Sequence, residues 1–272
     1  MTDRITVTHI KDVSIERMEK KDGWAISEFR LPITGAQGSS TAVFHSIFRS
    51  GSTHSKHLHS ECDEIAIYLK GNGVVGQGNS RANVTSGHCR LMPRGSEHFF
   101  YNETKDEAEV IGFYIGASSV PNTGYKFCGD ASAEDLNSPR DGLKEGILIR
   151  IEQSLVIVEP NNPWRSEQIR VPIGSHNGSK NALINVCISA GIKGDSYYSN
   201  KCEQVYYVSN GNGLIGSRDF QKEVSKGTFV YVPRRTPHWI ENLDEENELE
   251  IYNVLTGAGS LEEANFLISN EH

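Results

Sequence analysis

Four residues in the first half of the chain have the side chains and the spacing of a metal site. His57 and His59 are separated by one residue, so on a β-strand their imidazoles point to the same face, roughly 7 Å apart along the backbone. Glu64 follows a short turn at the start of an apolar run, and His98 follows a turn that contains Pro and Gly. Three imidazoles and one carboxylate that converge inside a barrel would bind a divalent transition metal. Two positions would stay open if the metal is octahedral.

This ligand set favours a particular kind of substrate. A divalent cation beside a single carboxylate keeps an excess positive charge, which attracts carboxylates and enolates and stabilises developing oxyanions. Two open positions would admit a bidentate anionic substrate, or a substrate together with O2. Iron(II) would favour dioxygenase chemistry, whereas manganese(II) would favour decarboxylation, isomerisation or hydrolysis. Nickel(II) and zinc(II) also fit, because one affinity order covers all these metals.

Three further residues are candidates for contact with a substrate. His45 lies on the strand before the histidine pair, and Tyr68 is four residues after Glu64 and so on the same face as that carboxylate. We predict that His45 and Tyr68 act as catalytic acid or base. Phe100 is two residues after His98 and should line the pocket as a substrate-binding residue. A buried histidine or tyrosine that only satisfies its own polar groups is the commoner alternative.

Neighbouring residues of reactive type receive a structural interpretation. His54, three residues before His57, is expected on an exposed rim loop and not among the ligands. Cys62 has a counterpart, Cys202, at the same place in the second half of the chain. A cysteine that recurs in both halves is interpreted as a packing residue and not as a nucleophile.

Short β-rich runs must position these side chains. The chain has 26 glycines, and its apolar runs are bounded by Gly, Pro, Asn or Ser, which is typical of strands joined by turns. Helical periodicity is weak everywhere except near the C-terminus, around residues 260–268, and many short strands of this kind predict a β-sandwich or β-barrel. The clearest runs begin at Thr41, Ile65, Val110, Leu148 and Thr228.

An internal repeat indicates two domains. The chain matches itself at an offset of 140 residues, without a gap from residue 24 to residue 102. Glycine and proline are prominent among the matches, so the repeated property is a set of turns and hence a backbone shape. We predict an N-terminal barrel over residues 1–117, a connector over 118–146 and a C-terminal barrel over 147–272. Matched pairs include Trp24 with Trp164, Pro32 with Pro172, Gly51 with Gly191, Gly87 with Gly227, and His98 with His238.

The second copy keeps the turns and loses the ligands. At the positions of the first three ligands it carries a phenol, a hydroxyl and a neutral amide, which cannot replace two imidazoles and a carboxylate. We therefore predict one metal per chain, in the N-terminal barrel. The C-terminal barrel is expected to be a scaffold or a dimer interface, with a metal-free binding pocket as the alternative. Its residues at the four positions are Tyr197, Ser199, Gln204 and His238.

Residues 51–102 resemble the two signature motifs of the cupin superfamily, the second of which is G-x5-P-x-G-x2-H-x3-N. Every fixed position of both motifs is filled. The resemblance implies a double-stranded β-helix, or jelly-roll, barrel, and with the repeat the chain resembles a bicupin. The expected fold class is all-β, with two tandem cupin-type barrels. The metal ligands that the resemblance implies are His57, His59, Glu64 and His98.

Cupins carry out many reactions, so the resemblance leaves several functions open. A metal-dependent enzyme that acts on a small organic acid or enol is favoured, in particular an iron(II) dioxygenase. The alternatives are a manganese- or zinc-dependent decarboxylase, isomerase, lyase or hydrolase, and a non-catalytic cupin that binds a small molecule. A closed zinc site that only stabilises the barrel is less favoured, because structural zinc prefers cysteine-rich shells.

Composition excludes other classes of protein. The net charge is −8 and basic residues do not cluster, so a nucleic-acid partner is not expected. No apolar stretch is long enough for a membrane helix. Five cysteines without CxxC spacing, and a start that lacks a secretory signal, predict a cytoplasmic protein. We expect a homodimer, and we expect residues 1–23, outside the repeat, to pair along a barrel edge within the chain or across that dimer.

Overall fold

The computed structural model describes residues 4–17 and 24–270 of the chain. The described residues divide into two units, which we call the N-terminal barrel (those within Val13–Gly35 and Ser40–Arg150) and the C-terminal barrel (those within Met1–Asp12, Ala36–Ser39 and Ile151–His272). Nearly all regular structure in the described residues is β-strand.

The α-helices in the described residues are short: α1 spans Ala133–Asn137 and α2 spans Leu261–Ala264. Neither has the length and apolar character that a membrane-crossing helix needs. In chain order the strands are β1 (Thr6–His9), β2 (Trp24–Ala25), β3 (Glu28–Ile33), β4 (Ala42–Phe48), β5 (Thr53–His59), β6 (Asp63–Lys70), β7 (Asn72–Gln77), β8 (Ser80–Thr85), β9 (His88–Met92), β10 (His98–Tyr101), β11 (Ala108–Ile115), β12 (Tyr125–Gly129), β13 (Ile147–Arg150), β14 (Leu155–Ile157), β15 (Ile169–Ile173), β16 (Ala182–Ile188), β17 (Tyr197–Ser199), β18 (Glu203–Asn210), β19 (Asn212–Ser217), β20 (Phe220–Ser225), β21 (Thr228–Val232), β22 (Trp239–Asn242), β23 (Leu249–Thr256) and β24 (Phe266–Ile268).

The N-terminal barrel is formed by two antiparallel sheets. One has the order β13-β9-β6-β11-β4-β3, and the other has the order β12-β5-β10-β7-β8 with β2 also paired to β5. Because side chains alternate along each strand, one face of every strand supplies an interior that is rich in aromatic rings. Phe29, Phe44, Phe48, Phe100 and Tyr114 are among the buried residues of this core.

The C-terminal barrel repeats the first of these sheets more completely than the second. Its large sheet has the order β1-β21-β18-β23-β16-β15-β14. The opposing strands form a three-stranded sheet, β20-β19-β22, and a separate pair, β17-β24. The predicted class, all-β with two tandem cupin-type barrels, is confirmed.

Both halves use the same turns. Gly71 joins β6 to β7 with a φ of 80°, and Gly211 joins β18 to β19 with a φ of 85°. A left-handed backbone of this kind favours glycine at both sites. Strand pairing repeats as well, because Ala66 lies opposite Arg90 and the equivalent Tyr206 lies opposite Val230. The offset of 140 residues therefore reflects a repeated backbone, as its glycines and prolines predicted.

The division of the chain differs from the predicted domain boundaries at two strands. β1 pairs with β21 and so lies in the C-terminal barrel, whereas β13 pairs with β9 and lies in the N-terminal barrel. Each barrel thus gains an edge strand from the start of the other half of the sequence. The pairing of β1 confirms, within the chain, the expected edge pairing of the N-terminal segment, while residues 1–3 and 18–23 lie outside the described residues.

The predicted connector, residues 118–146, contributes structure to the N-terminal barrel. Within it, β12 pairs with β5, the strand that carries the histidine pair. After β12, α1 begins at a capping box in which Ser132 and Asp135 satisfy each other's backbone amides. The Asp135 carboxylate also pairs with Lys56 and Arg81, which anchors this segment to the barrel. The sequence suggested only a linker here because the strand is short and its surroundings are polar.

Candidate metal centre

Three neighbouring strands bring the four predicted ligands together. His57 and His59 lie on one face of β5, Glu64 lies near the start of β6, and His98 begins β10 directly opposite His57. One donor atom from each of the four side chains lies within 4.8 Å of the others. All four residues are buried, with exposures between 1% and 6%. The geometry therefore assembles the three imidazoles and one carboxylate that the spacing suggested.

Backbone carbonyls orient two of the imidazoles. The Nδ1–H of His57 donates to the Ser55 carbonyl at 2.6 Å, and that of His98 donates to the Ser96 carbonyl at 2.8 Å. A carbonyl oxygen can only accept, so these bonds assign the proton to Nδ1 and leave Nε2 with a lone pair. This is the arrangement by which a second hydrogen bond fixes the tautomer of a metal-binding histidine.

The inward donor atoms fit a cation. Nε2 of each of the three histidines and Oε2 of Glu64 are buried and lack a hydrogen-bond partner. Oε2 lies 3.1 Å from Nε2 of His59 and 3.4 Å from Nε2 of His98, close contacts that lack the angles of a hydrogen bond. Buried polar atoms without partners are costly, and a shared divalent metal would satisfy all four at once.

The electrostatics of the cluster are also suited to a metal. Burial lowers the pKa of His57 and of His98, so both imidazoles are neutral at neutral pH. Neutral imidazoles at His57 and His98 leave the Nε2 lone pairs available, which is the protonation state that metal binding requires of a histidine.

A small cavity adjoins the cluster inside the barrel. Its wall includes Phe44, Phe48, Met92 and Val110 in addition to the ligand side chains. About 30 Å³ is open to the centres of water molecules, enough for a ligand of only a few heavy atoms. This size excludes bulky aromatic substrates from the cavity as it stands.

Two of the three predicted substrate-contacting residues lie on this wall. Tyr68 and Phe100 both line the cavity, with ring centroids 5.6 Å apart. Tyr68 shares the inward face of β6 with Glu64, as the spacing of four residues required. Their catalytic and substrate-binding roles remain predictions.

His45 does not reach the cavity. Phe44 and Ser46, its neighbours on β4, line the cavity, so strand alternation directs His45 to the opposite face. There its Nε2 pairs with Oε1 of Glu109 at 2.8 Å. The C-terminal barrel has a polar pair at the equivalent positions, in which the Asn185 amide donates to the carboxylate of Glu250. A pair that recurs in the barrel without ligands indicates a structural role, and the catalytic prediction for His45 is corrected accordingly.

His54 does not lie on the exposed rim loop that was expected, although it is not one of the four clustered ligands. It lies in β5 and lines the cavity, stacked on His57 with ring centroids 3.6 Å apart. A bulge causes this, because three residue steps from His54 to His57 oppose two steps from Phe100 to His98. The bulge puts His54 and His57 on one face despite their odd spacing. Burial lowers the pKa of His54 to about 3, and its Nε2 has no hydrogen-bond partner.

Three residues that line the cavity or pack against the ligand histidines were not predicted from the sequence. Tyr114 packs edge-on against His59 with centroids 4.9 Å apart, and Tyr125 of β12 stacks on His57 at 5.2 Å. Arg90 lines the cavity and is 1% exposed. Of the three, Arg90 left a signal in the sequence, since a cation inside the run His88–Met92 is unusual for a buried strand.

The equivalent region of the C-terminal barrel is filled by hydrogen bonds. The hydroxyl of Tyr206 lies within hydrogen-bond distance of two acceptors, Nε2 of His238 and Oε1 of Gln204, at 2.7 Å from each. It also bonds the hydroxyl of Tyr197, and the Asn253 amide donates to Oε1 of Gln204 at 3.0 Å. Tyr206 occupies the sequence position of Ala66. A phenol therefore lies where the N-terminal barrel has its cavity.

The paired cysteines are packing residues, as predicted. Cys62 and Cys202 are 0% and 1% exposed. Burial raises the pKa of the Cys62 thiol to about 12 and also raises that of Cys202. Neither thiol ionises near neutral pH, so neither has the reactivity of a nucleophile.

Comparison with known proteins gives matches in both halves of the chain. The family model described as Cupin matches residues 20–137 and residues 196–264. Among curated proteins, oxalate oxidase GF-3.8 of Triticum aestivum is 36% identical over 79 residues, which are 26% of this chain and 35% of the wheat protein. An uncharacterized protein of Methanocaldococcus jannaschii is 34% identical over 68 residues, which are 25% of this chain and 54% of that protein. The chain thus spans about half or less of the length of these curated relatives.

Solved structures resemble the whole chain. A structure of oxalate decarboxylase from Bacillus subtilis, determined at pH 4.6, has a TM-score of 0.70 and 14% sequence identity, with 97% of this chain and 78% of that chain covered. A second structure of the Bacillus subtilis enzyme, studied for its Mn(II) centres, has a TM-score of 0.71 and 13% identity, with 97% and 79% covered. At this level of identity the likeness establishes the fold alone.

Proposed function

This chain belongs to the cupin family, with one match in each half, and on that premise we propose that its N-terminal barrel is a metal-dependent enzyme. The proposed reaction is the decarboxylation or oxidation of a small organic acid of the oxalate type. One observation carries the proposal: four buried donor atoms without hydrogen-bond partners converge beside a cavity that admits only a few heavy atoms. The C-terminal barrel is proposed to be a scaffold.

Manganese(II) is the metal that we now favour. The four donors accept iron(II) equally well, so the sequence-based preference for an iron(II) dioxygenase had no support from the ligand set itself. Two relatives support the manganese alternative: the wheat protein is an oxalate oxidase, and the Bacillus subtilis decarboxylase has Mn(II) centres. A cytoplasmic location and a homodimer remain predictions.

Each part of the cavity has a proposed task. His57, His59, Glu64 and His98 would hold the metal, which when bound supplies Lewis-acid stabilisation of negative charge on a substrate oxygen. The ring of Phe100 and the aliphatic wall exclude water, which strengthens every electrostatic interaction inside. Burial raises the pKa of Tyr68, so its phenol stays protonated at neutral pH. It can then donate a hydrogen bond to an anionic substrate oxygen.

The test combines metal analysis with product analysis. Protein purified without chelators should contain one divalent metal per chain, and manganese-loaded protein should consume oxalate. Formate and CO2 in equal amounts, without O2 uptake, would identify a decarboxylase. Two CO2 and one hydrogen peroxide per oxalate, with one O2 consumed, would identify an oxidase.

Controls separate these outcomes from the alternatives. Metal-depleted protein should lose turnover and recover it when manganese is restored. Turnover that survives complete metal removal would overturn the proposal. Tight oxalate binding without turnover, in protein loaded with manganese or with iron, would instead support the non-catalytic binding cupin.

A further inference from the structure

Arg90 is a buried cation on the wall of the candidate site. It lies on β9 with 1% of its surface exposed, and it lines the same cavity as Glu64 and His98. Its Nη1 donates to the Phe99 carbonyl at 3.2 Å, and its Nη2 donates to the Gly76 carbonyl at 2.6 Å. A longer bond of 3.3 Å joins Nη2 to Oε1 of Gln77. The Nε–H has no hydrogen-bond partner.

No carboxylate of the described residues forms an ion pair with this guanidinium, and each of its hydrogen-bond acceptors is neutral. Arginine stays protonated in proteins, so the cavity wall carries a full positive charge, and the Nε–H of that cation is unused. An uncompensated buried charge is costly unless an opposite charge joins it. By contrast Arg81, which is also buried in this barrel, pairs with Asp135.

With a divalent metal bound, the cavity would have a net charge of about +2 from the metal and the charged side chains of its wall. Arg90 and Glu64 are the permanently charged residues on the described wall. A divalent metal together with Arg90 brings three positive charges against the single negative charge of Glu64. A monoanion would neutralise half of this excess, whereas a dianion would neutralise all of it.

The C-terminal barrel shows that the fold itself does not require this cation. Val230 stands at the position equivalent to Arg90, is 2% exposed and belongs to the apolar core. Opposite it the phenol of Tyr206 fills the interior, whereas opposite Arg90 the small Ala66 leaves the interior open. The guanidinium occurs where there is a cavity and is missing where the cavity is filled.

We propose that Arg90, with Tyr68 on the wall of the same cavity, is an anion-binding subsite that receives the second carboxylate of a short dicarboxylate substrate. This inference rests on the proposed function for the direction in which the substrate lies, with its first carboxylate toward the four donor atoms. The small volume of the cavity limits the substrate to two carboxylates with little or no spacer between them.

The test compares two ligands of equal shape and different charge. Oxalate has two carboxylates, and in oxamate a neutral amide replaces one of them. Calorimetric titration of the metal-loaded protein should show tighter binding of oxalate than of oxamate. In Arg90→Met the oxalate affinity should fall roughly 10- to 100-fold, the effect of losing a hydrogen bond to a charged group. The oxamate affinity should change far less, and Arg90→Lys should retain part of the preference for oxalate.

Control measurements keep the inference falsifiable. Arg81→Met removes a buried arginine that has a carboxylate partner, so it should lower the melting temperature without changing the ratio of the two affinities. If Arg90→Met does not fold, Arg90→Gln removes the positive charge but keeps a polar side chain, and it provides the same comparison. Equal losses for both ligands, or an unchanged ratio, would overturn the role of Arg90.

The outcomes also separate this inference from the proposed function. One outcome is that the protein turns over a small acid while Arg90→Met leaves the ratio of oxalate to oxamate affinity unchanged. That result would support the enzyme proposal and contradict the subsite. A charge-selective loss in Arg90→Met, in a protein that turns over no acid, would retain the subsite and remove the enzyme proposal. Elemental analysis after each titration checks that the ligand has not extracted the metal.

Discussion

The two barrels place a histidine at the same backbone position and surround it with opposite chemistry. Around His98 the neighbouring donor atoms have lone pairs or negative charge and lack hydrogen-bond partners. Around His238, a tyrosine hydroxyl and an amide complete a buried network. The shared backbone therefore determines which positions lie close together. The residue types at those positions determine whether the side chains can bind a metal or instead form hydrogen bonds with one another.

The two barrels also differ in whether the interior is open or filled by a side chain. Replacing the ligands would remove the metal but would not fill the space. At the position of Ala66 the C-terminal barrel has Tyr206, whose hydroxyl bonds three of its neighbours. Its backbone keeps even an unfavourable turn, since Arg235 has a φ of 62° where the N-terminal barrel uses Gly95 at 75°.

The largest difference between the two barrels is expected when each histidine is removed in turn. His98→Ala should abolish metal occupancy and activity, because it takes one of four donors from a small buried shell. His238→Ala should keep the metal and lower the free energy of unfolding by about 1–3 kcal/mol, the cost of a broken buried hydrogen bond. Elemental analysis after dialysis and urea denaturation measure the two effects. Equal metal loss in both variants, or two metals per chain, would contradict the asymmetry.

A second test exchanges the residues that fill or open the interior. Ala66→Tyr should place a phenol in the N-terminal cavity, displace both metal and substrate, and cost about 1–3 kcal/mol of stability through overpacking. Ala66→Ser is the matched control and should retain the metal. Metal content and activity are the measurements, and an active, fully loaded Ala66→Tyr protein would show that the cavity is not the site.

The reciprocal change empties the interior of the C-terminal barrel. Tyr206→Ala should lower the stability of the C-terminal barrel by about 3–5 kcal/mol, because it removes a large buried ring and its hydrogen bonds. It should not create a second metal site, since Tyr197 and Gln204 supply no imidazole or carboxylate. Thermal denaturation and elemental analysis check both statements, and a gain of metal would refute the second.

A milder test concerns the carboxylate of the ligand set. Glu64→Gln should lower metal affinity by more than the roughly 10- to 100-fold typical of an outer-shell partner, because it removes the negative charge among the four donors. Glu109→Gln changes a carboxylate on the outer face, where it pairs with His45, and should leave the metal in place. Competition with a metal indicator measures both affinities. Unchanged affinity in Glu64→Gln would remove that residue from the ligand set.

A gradual effect is expected from acid, which should lower the stability of the C-terminal barrel. Burial lowers the pKa of His238 to about 4 from the ordinary value of 6.5. In this pH range the His238 imidazole is protonated in the unfolded chain but stays neutral in the folded barrel. The free energy of unfolding therefore falls as the pH drops from about 6.5 to about 4. The full loss would be about 3 kcal/mol. His238→Gln should be less sensitive over this interval in urea denaturation, and identical pH profiles would contradict the assignment.

The sequence by itself was sufficient for the ligand set and for the repeat. His57, His59, Glu64 and His98 could be identified because their spacing fits the strand period and fixed turns, and such turns depend on local glycine and proline chemistry. Loss of the ligands in the second copy was equally visible. These properties are local in the chain, and the repeat showed them twice.

The tertiary structure decided which other side chains face the cavity. A strand's two faces are assigned by its register, and one extra residue reverses the assignment. The alternation of β4 turned His45 away, and a bulge in β5 brought His54 in, although sequence spacing suggested the reverse for both residues. The interior positions of Arg90 and Tyr206 likewise depend on pairing between distant strands. What lines the cavity is a property of non-local pairing, which no local pattern of residues encodes.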